Sequence, residues 1–328
     1  MKAKKTLAGL ALVGAIALTA TGCAGGGSTA GGSGGGDDKV ITVGFAQTGS
    51  ESGWRSANTE SMKEAFSEAN GFNLIFNAAD NKPEAQIAAV RSFINQGVDA
   101  IVLAPIVTDG WDDVLKEAKD ANIPVILEDR TVSASEDLYA SWVGLDFKKE
   151  GETAGKWVAD NFGSTPTNLV VLEGTTGSSA ATDRATGFDD AIKGTDIKVL
   201  DSQTGNFTRA EGKTVMEGFL QKYGSQINLL FAHNDDMGLG ALDAIKAAGL
   251  KPGTDIKIVT IDAVKDGMTA LADGEFNYIV ECNPLLGEKV AEVVKKVVAG
   301  ESVDKQYIVE DQAFDQEQAK AALPDRKY

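Results

Sequence analysis

From Val40 onward the chain repeats one alternation: a short apolar run rich in β-branched residues, then a stretch whose apolar residues recur at helical spacing. Strands are predicted at 40–45, 72–78, 100–104 and 124–127, with helices at 55–69, 83–95 and 111–121 between them. The helix at 83–95 starts on Pro83, puts Ile87, Val90, Phe93 and Ile94 on one face and stops at Gly97, as the fixed φ of proline and the left-handed tolerance of glycine favour. Near-continuous apolar strands joined through helices can bury both faces only in a parallel sheet covered on each side. Right-handed crossovers then give a doubly wound sheet.

The rhythm restarts after Leu145. Strands are predicted at 168–172, 197–201, 229–232, 256–261, 278–280 and 307–309, and helices at 146–162, 182–193, 209–222, 237–248, 267–272 and 285–299. The 328 residues exceed what a single small core needs. The fold class is therefore α/β, with two doubly wound parallel-sheet lobes.

The first residues read as an export leader. Lys2, Lys4 and Lys5 precede a short apolar run over 7–18, and Ala20-Thr21-Gly22-Cys23 follows. That run is too short to span a bilayer. Gly22-Cys23 resembles a bacterial lipobox, which implies a signal peptide over 1–22 and lipidation of Cys23. Residues 24–36 are nearly all Gly, Ser, Thr and Ala, a composition that buries too little apolar surface to fold. The stretch 23–37 is read as an anchored tether. Cys282 is the only other cysteine, so no intrachain disulfide is expected. One histidine and two cysteines offer no zinc-type spacing, and no cofactor is expected. The formal charge of −17, from which the leader removes three offsetting lysines, excludes nucleic acid as a partner and favours a neutral ligand.

In open α/β sheets, ligands bind beyond the carboxyl ends of the strands. Polar residues gather there in both halves: Glu51-Ser52-Gly53-Trp54-Arg55 after the first strand, Asp129-Arg130 after the fourth, then Asn234, Asp262 and Glu281 in the second half. A sugar hydroxyl is both donor and acceptor, so it needs carboxylate, amide and guanidinium partners. Its C–H faces prefer flat aromatic surfaces, and Trp54 and Phe207 stand in loops that can supply them. Bland alternatives stand beside each: Asp235 and Asp236 as helix caps, Asp129-Arg130 as a surface ion pair, Arg184 as a solvated helix residue. Trp111, Trp142 and Trp157 are read as packing, and His233 as structural.

These residues resemble a family. Residues 96–101 (QGVDAI), 121–125 (ANIPV) and 234–237 (NDDM) with 241–249 are similar to recurrent segments of the periplasmic sugar-binding proteins of the ribose and galactose type. The stretches 49–55 (GSESGWR), Ala104-Pro105 with Gly110-Trp111, and Phe207-Thr208-Arg209 resemble the subgroup that includes the galactofuranose-binding protein. The resemblance implies two lobes joined by a hinge of three crossings near Leu145, Cys282 and Val309, with one lobe made of 38–145 plus 283–309 and the other of 146–282 plus 310–328. It implies that Glu51, Trp54, Arg55, Asp129, Arg130, Arg184, Phe207, Asn234, Asp262 and Glu281 contact a monosaccharide. Ala104 stands where ribose-type members carry an amide, and Ser52-Gly53-Trp54 where they carry two aromatics, which favours a galactofuranose-like furanose over ribose.

The implied function is delivery of sugar to an ABC transporter permease by a monomeric lipoprotein on the outer face of the cell membrane, with no catalysis. Two other readings share the residues. A sensor would present the same sugar to a receptor, and a glycosidase would need two carboxylates flanking a scissile bond. A transcription regulator is excluded by the export leader and the lack of a helix-turn-helix head.

Overall fold

The computed structural model describes residues 40–328. The stretches expected to form the export leader, the Cys23 anchor and the tether lie outside the described residues. Two six-stranded sheets make up the rest. In the first, β1 (Ile41–Gln47), β2 (Phe72–Ala78), β3 (Ala100–Leu103), β4 (Val125–Asp129), β5 (Ser141–Gly144) and β11 (Gln306–Ile308) take the order β11-β5-β4-β3-β1-β2. In the second, β6 (Thr167–Glu173), β7 (Ile197–Thr204), β8 (Leu229–Ala232), β9 (Lys257–Asp262), β10 (Tyr278–Glu281) and β12 (Ala313–Phe314) take the order β12-β10-β9-β8-β6-β7. Every pairing is parallel except β10 with β12.

The two sheets thus share one winding: the first strand of each is flanked by the second on one side and the third on the other. That reversal opens a crevice at the carboxyl edge, because the two neighbouring crossovers run to opposite faces. Central strands carry the burial the sequence required. All four residues of β3 and all five of β4 are buried, and each fully buried Val, Ile or Leu contributes about 1.5–3 kcal/mol.

The helices are α1 (Gly53–Ala65), α2 (Pro83–Gln96), α3 (Asp112–Asp120), α4 (Phe147–Phe162), α5 (Ser179–Ile192), α6 (Arg209–Tyr223), α7 (Asp235–Ala247), α8 (Lys265–Ala272), α9 (Gly287–Val298) and α10 (Gln316–Ala322). The chain passes between the sheets three times: from β5 to α4, from β10 to α9, and from β11 to β12. Helix α9 returns to pack on α1, β4 and β5, while α10 packs on α8. The sequence pattern predicts no element beyond Val309, whereas the structure has β12 and α10 there. A two-residue strand has no periodicity to read. The seven-residue helix is held by a capping box in which Asp315 accepts from Gln318 N and the Gln318 side chain accepts from Asp315 N.

Candidate functional site

The loops at the carboxyl edges of the two sheets face one another across a small buried cavity. On the first-sheet side, Ser52 is the N-cap of α1, its Oγ accepting from Arg55 N at 3.1 Å. This starts the helix so that Trp54 and Arg55 occupy its first turn. Arg55 Nη2 donates to Asp129 Oδ2 at 2.7 Å and its Nε to Glu51 Oε1 at 3.1 Å. Burial works against the Arg55 charge, but Asp129 and Glu51 outweigh it and raise its pKa. Burial opposes ionisation of Glu51 as well, and Arg55 and Arg130 outweigh it and lower that pKa.

Arg130 is buried beside this network but poorly paired. Its Nη1 donates to Ile106 O at 3.2 Å, its nearest carboxylates lie at 3.7 and 3.9 Å, and its buried Nε has no hydrogen-bond partner. Burial, followed by the neighbouring Arg55, lowers its pKa. A buried donor without an acceptor costs about 1–3 kcal/mol, so this atom marks a place that gains from an incoming oxygen. Behind the network, burial and the Asp129 charge push Glu128 up to about 8, and the Asn58 amide donates to its Oε1.

On the second-sheet side the same residue types are fixed differently. Arg184 on α5 donates Nε to Glu150 Oε2 and Nη1 to the His233 carbonyl, both at 2.7 Å. Its Nη2 lies 3.8 Å from Asp262 Oδ1. Asn234 caps α7, accepting from Met237 N at 3.0 Å, and donates Nδ2 to Phe207 O at 3.1 Å. The Phe207 ring therefore stands where Arg130 and Arg184 lie over it, at 5.1 and 5.9 Å from its centroid. Gly174 is required beneath it, because a Cβ there would overlap the ring. Burial raises the pKa of Asp262, with Arg184 opposing.

Three of these residues adopt φ values that L-residues disfavour: Asp129 at 61°, Phe207 at 63° and Asp262 at 128°. Such strain persists where surrounding structure over-determines it, and it clusters at functional sites. The indole of Trp142 holds the Asp129 carbonyl at 3.1 Å, a bond that adds to its expected packing.

Nine of the ten ligand positions read from sequence line this cavity. Glu281 does not, and that expectation is corrected. Its Oε1 pairs with Arg326 Nη1 and Tyr328 Oη, each at 2.7 Å, and its Oε2 accepts from Gln312 N at 3.1 Å. Successive residues of an extended chain point to opposite sides, so Cys282, one residue on, borders the cavity instead. Phe147 and Ala180 also line it. Both belong to the first turns of helices, Phe147 in α4 and Ala180 in α5, where apolar residues read as packing rather than as a wall of a site.

The caps fell otherwise than expected too. Asn234 itself is the N-cap of α7, while Asp235 accepts from Val264 N at 2.8 Å and Asp236 from Gly53 N at 2.7 Å. His233 is buried and kept neutral, its pKa pushed down to about 3 by burial and by Arg184, in line with a structural role. The cavity holds only about 20 Å³, room for about one water, whereas small-molecule sites occupy roughly 300–1,000 Å³. Anything larger than a water therefore enters only when the two sides part.

A family profile described as periplasmic binding protein domain matches residues 43–302. The galactofuranose-binding protein YtfQ of Escherichia coli is 48% identical over 260 residues, which cover 78% of this chain and 81% of that protein. A crystal structure from Mycobacterium smegmatis in complex with β-D-fucofuranose is 59% identical with a TM-score of 0.85, covering 88% of this chain and 95% of that one. The periplasmic component of the arabinose ABC transporter from Shewanella sp. ANA-3, bound to α- and β-L-arabinofuranose, is 45% identical with a TM-score of 0.84, covering 88% and 96%.

Proposed function

The chain belongs to the periplasmic binding protein family, and on that premise we propose that it captures a monosaccharide in its furanose form between two hinged lobes and hands it to an ABC importer. The family consists of exported, non-enzymatic transport components, and this chain is a binding protein and not an enzyme. Of the relatives named above, one is a galactofuranose-binding protein and the other two hold fucofuranose and arabinofuranose. The five-membered ring is what those ligands share.

The observation that carries the reading is the convergence of both lobes on one buried and nearly charge-balanced cavity. Arg55, Arg130 and Arg184 face Glu51, Asp129 and Asp262, with Glu150 behind Arg184. An anionic or cationic ligand would meet an opposing group of its own sign. A neutral polyol instead exchanges hydrogen bonds with both kinds, and the lone Arg130 Nε gains an acceptor. Trp54 and Phe207 supply the flat walls. In this reading Glu51, Trp54, Arg55, Asp129 and Arg130 bind from the first lobe, and Arg184, Phe207, Asn234 and Asp262 from the second.

The first lobe comprises 38–145 with 283–309 and the second 146–282 with 310–328. Closure about the three connections buries the sugar and presents a joint surface to the permease. The protein acts as a monomer held at the outer face of the membrane through lipidated Cys23, in keeping with the leader and the lipobox-like Gly22-Cys23.

The test is a thermal-shift and calorimetric screen of the purified chain with D-galactose, D-fucose, L-arabinose and D-ribose, the ring form of the bound sugar being read by NMR. A ligand at one hundred times its Kd stabilises by about 2.7 kcal/mol, so a clear rise in Tm is expected with at least one of the first three. No rise with any monosaccharide would sink the sugar reading, and a bound pyranose would sink its furanose half.

A further inference from the structure

The Arg184 guanidinium is held by two partners of different kinds. One is a backbone carbonyl, His233 O, and the other is a carboxylate, Glu150 Oε2. Glu150 does not border the sugar cavity. It lies in the first turn of α4, the helix entered directly from the first inter-sheet connection, and it is 2% exposed. Its other oxygen, Oε1, is buried without a hydrogen-bond partner, and the residue lines a second cavity of about 260 Å³ bounded by Asp146, Val309 and Asp311 from two of the connections. One carboxylate thus forms the wall between the sugar site and the hinge.

What delivers it there is a backbone contact between two helices. Gly151 follows Glu150, and a Cβ built on it would overlap the Arg184 carbonyl. On α5, a Cβ on Gly187 would overlap the Lys148 carbonyl, and on α4 a Cβ on Gly155 would lie 2.7 Å from Phe188 O. Glycines at these places let the axes approach until backbones touch. At that separation the Glu150 carboxylate reaches Arg184 Nε at 2.7 Å.

We propose that Glu150 is the positioning residue for Arg184: through the glycine-mediated contact of α4 with α5 it fixes the guanidinium so that Nη2 is left to the sugar, and it ties the site to the hinge. The inference rests on the sugar-binding reading. With Nε and Nη1 both engaged, the planar fork has one orientation, and Nη2, 3.8 Å from Asp262 Oδ1, is too far for a hydrogen bond to that carboxylate.

The test is calorimetry on the full chain in detergent with D-galactose and L-arabinose as probes. If the wild type binds neither, D-fucose and D-ribose replace them as probes, and if it binds none of the four it is the sugar reading that has failed. If it binds, Glu150→Gln, which keeps the shape and loses the charge, is expected to weaken affinity about tenfold, the size of one charge-assisted hydrogen bond. The same change in an Arg184→Lys background is expected to cost less than about twofold, because a residue that acts only through Arg184 has nothing left to orient. Gly151→Ala, which keeps both side chains but drives a Cβ into the Arg184 carbonyl and parts the helices, is expected to weaken binding at least as much as Glu150→Gln and to lower Tm as well. A purely structural role would lower Tm with Kd unchanged. Wild-type affinity in Glu150→Gln, or losses that multiply in the double variant, would overturn the proposal.

Discussion

The two halves of the cavity use the same chemistry but differ in how much of it is held by side chains and how much by the backbone. In the first lobe the charged side chains hold one another: Arg55 is clasped by Glu51 and Asp129, and Arg130 stands beside them with its Nε unpaired. In the second lobe most of the bonds that hold the polar groups reach the backbone, the side-chain pair of Arg184 with Glu150 being the exception. Asn234 bonds Met237 N and Phe207 O, and Arg184 bonds His233 O. Side-chain networks can exchange partners when an oxygen arrives, whereas caps and carbonyl bonds must survive for the helix and wall to survive. The first half is therefore adaptable and the second pre-organised.

The sharpest way to break this comparison sets Arg130→Ala against Asn234→Ala. Arg130 contributes one backbone bond, an aromatic contact and two long carboxylate pairs at 3.7 and 3.9 Å to the fold. Its loss is expected to reduce sugar affinity by about a hundredfold or more, as for truncating a buried charged group in an interface, with little change in Tm. Asn234→Ala removes an N-cap, so it is expected to cost about 1 kcal/mol of stability while also weakening binding through the freed Phe207. Calorimetry paired with thermal melts checks both. Equal loss of Tm in the two variants would erase the distinction.

A smaller effect is expected at the contact between the lobes. Asp236, in the first turn of α7, accepts from Gly53 N across the cleft and pairs with Arg209 at 3.3 Å. Thr108 N and Thr131 N reach Gly177 O and Ser179 Oγ in the same way, at 2.9 and 3.1 Å. Since these bonds favour closure without touching sugar, Asp236→Ala is expected to lower affinity a few-fold, about 0.5–1.5 kcal/mol for one hydrogen bond. Small-angle scattering of the ligand-free variant should show a more open mean shape. Unchanged affinity and shape would remove Asp236 from the closing surface.

The smallest effect follows from where the raised carboxyls sit. In the second lobe and its connections, burial raises Glu150 and Asp235 to about 7, Asp311 to about 9, and Asp262 as well. The first lobe has Glu128 at about 8, offset in sign by the lowered Glu51. A carboxyl raised in the folded state binds its proton more tightly there, so its stabilisation is complete below the ordinary value near 4 and is lost as pH rises through the folded value. His233 acts in the opposite sense, its contribution fading below its ordinary 6.5. Between about pH 5 and 9 the second lobe is thus expected to lose more stability than the first. Hydrogen exchange in β9 and β10 against β1 and β3 at both ends of that range reads the difference. Parallel loss would show that the raised groups do not govern it.

The sequence by itself determined the class of fold and the two-fold repetition of its winding, because apolar runs of strand length between amphipathic helices admit only a covered parallel sheet. It determined also which loops hold the site, since the carboxyl edge of such a sheet is where polar residues can converge. Tertiary structure alone decided which neighbour points inward: Cys282 rather than Glu281 borders the cavity, a matter of one residue in register that composition cannot express. It alone gave Asn234 the cap and Asp236 the opposite lobe. It alone paired Glu150 with Arg184, 34 positions apart, because that contact depends on the distance between two helix axes. Such a distance is set by what the glycines lack, not by any pattern that Glu150 or Arg184 carries along the chain.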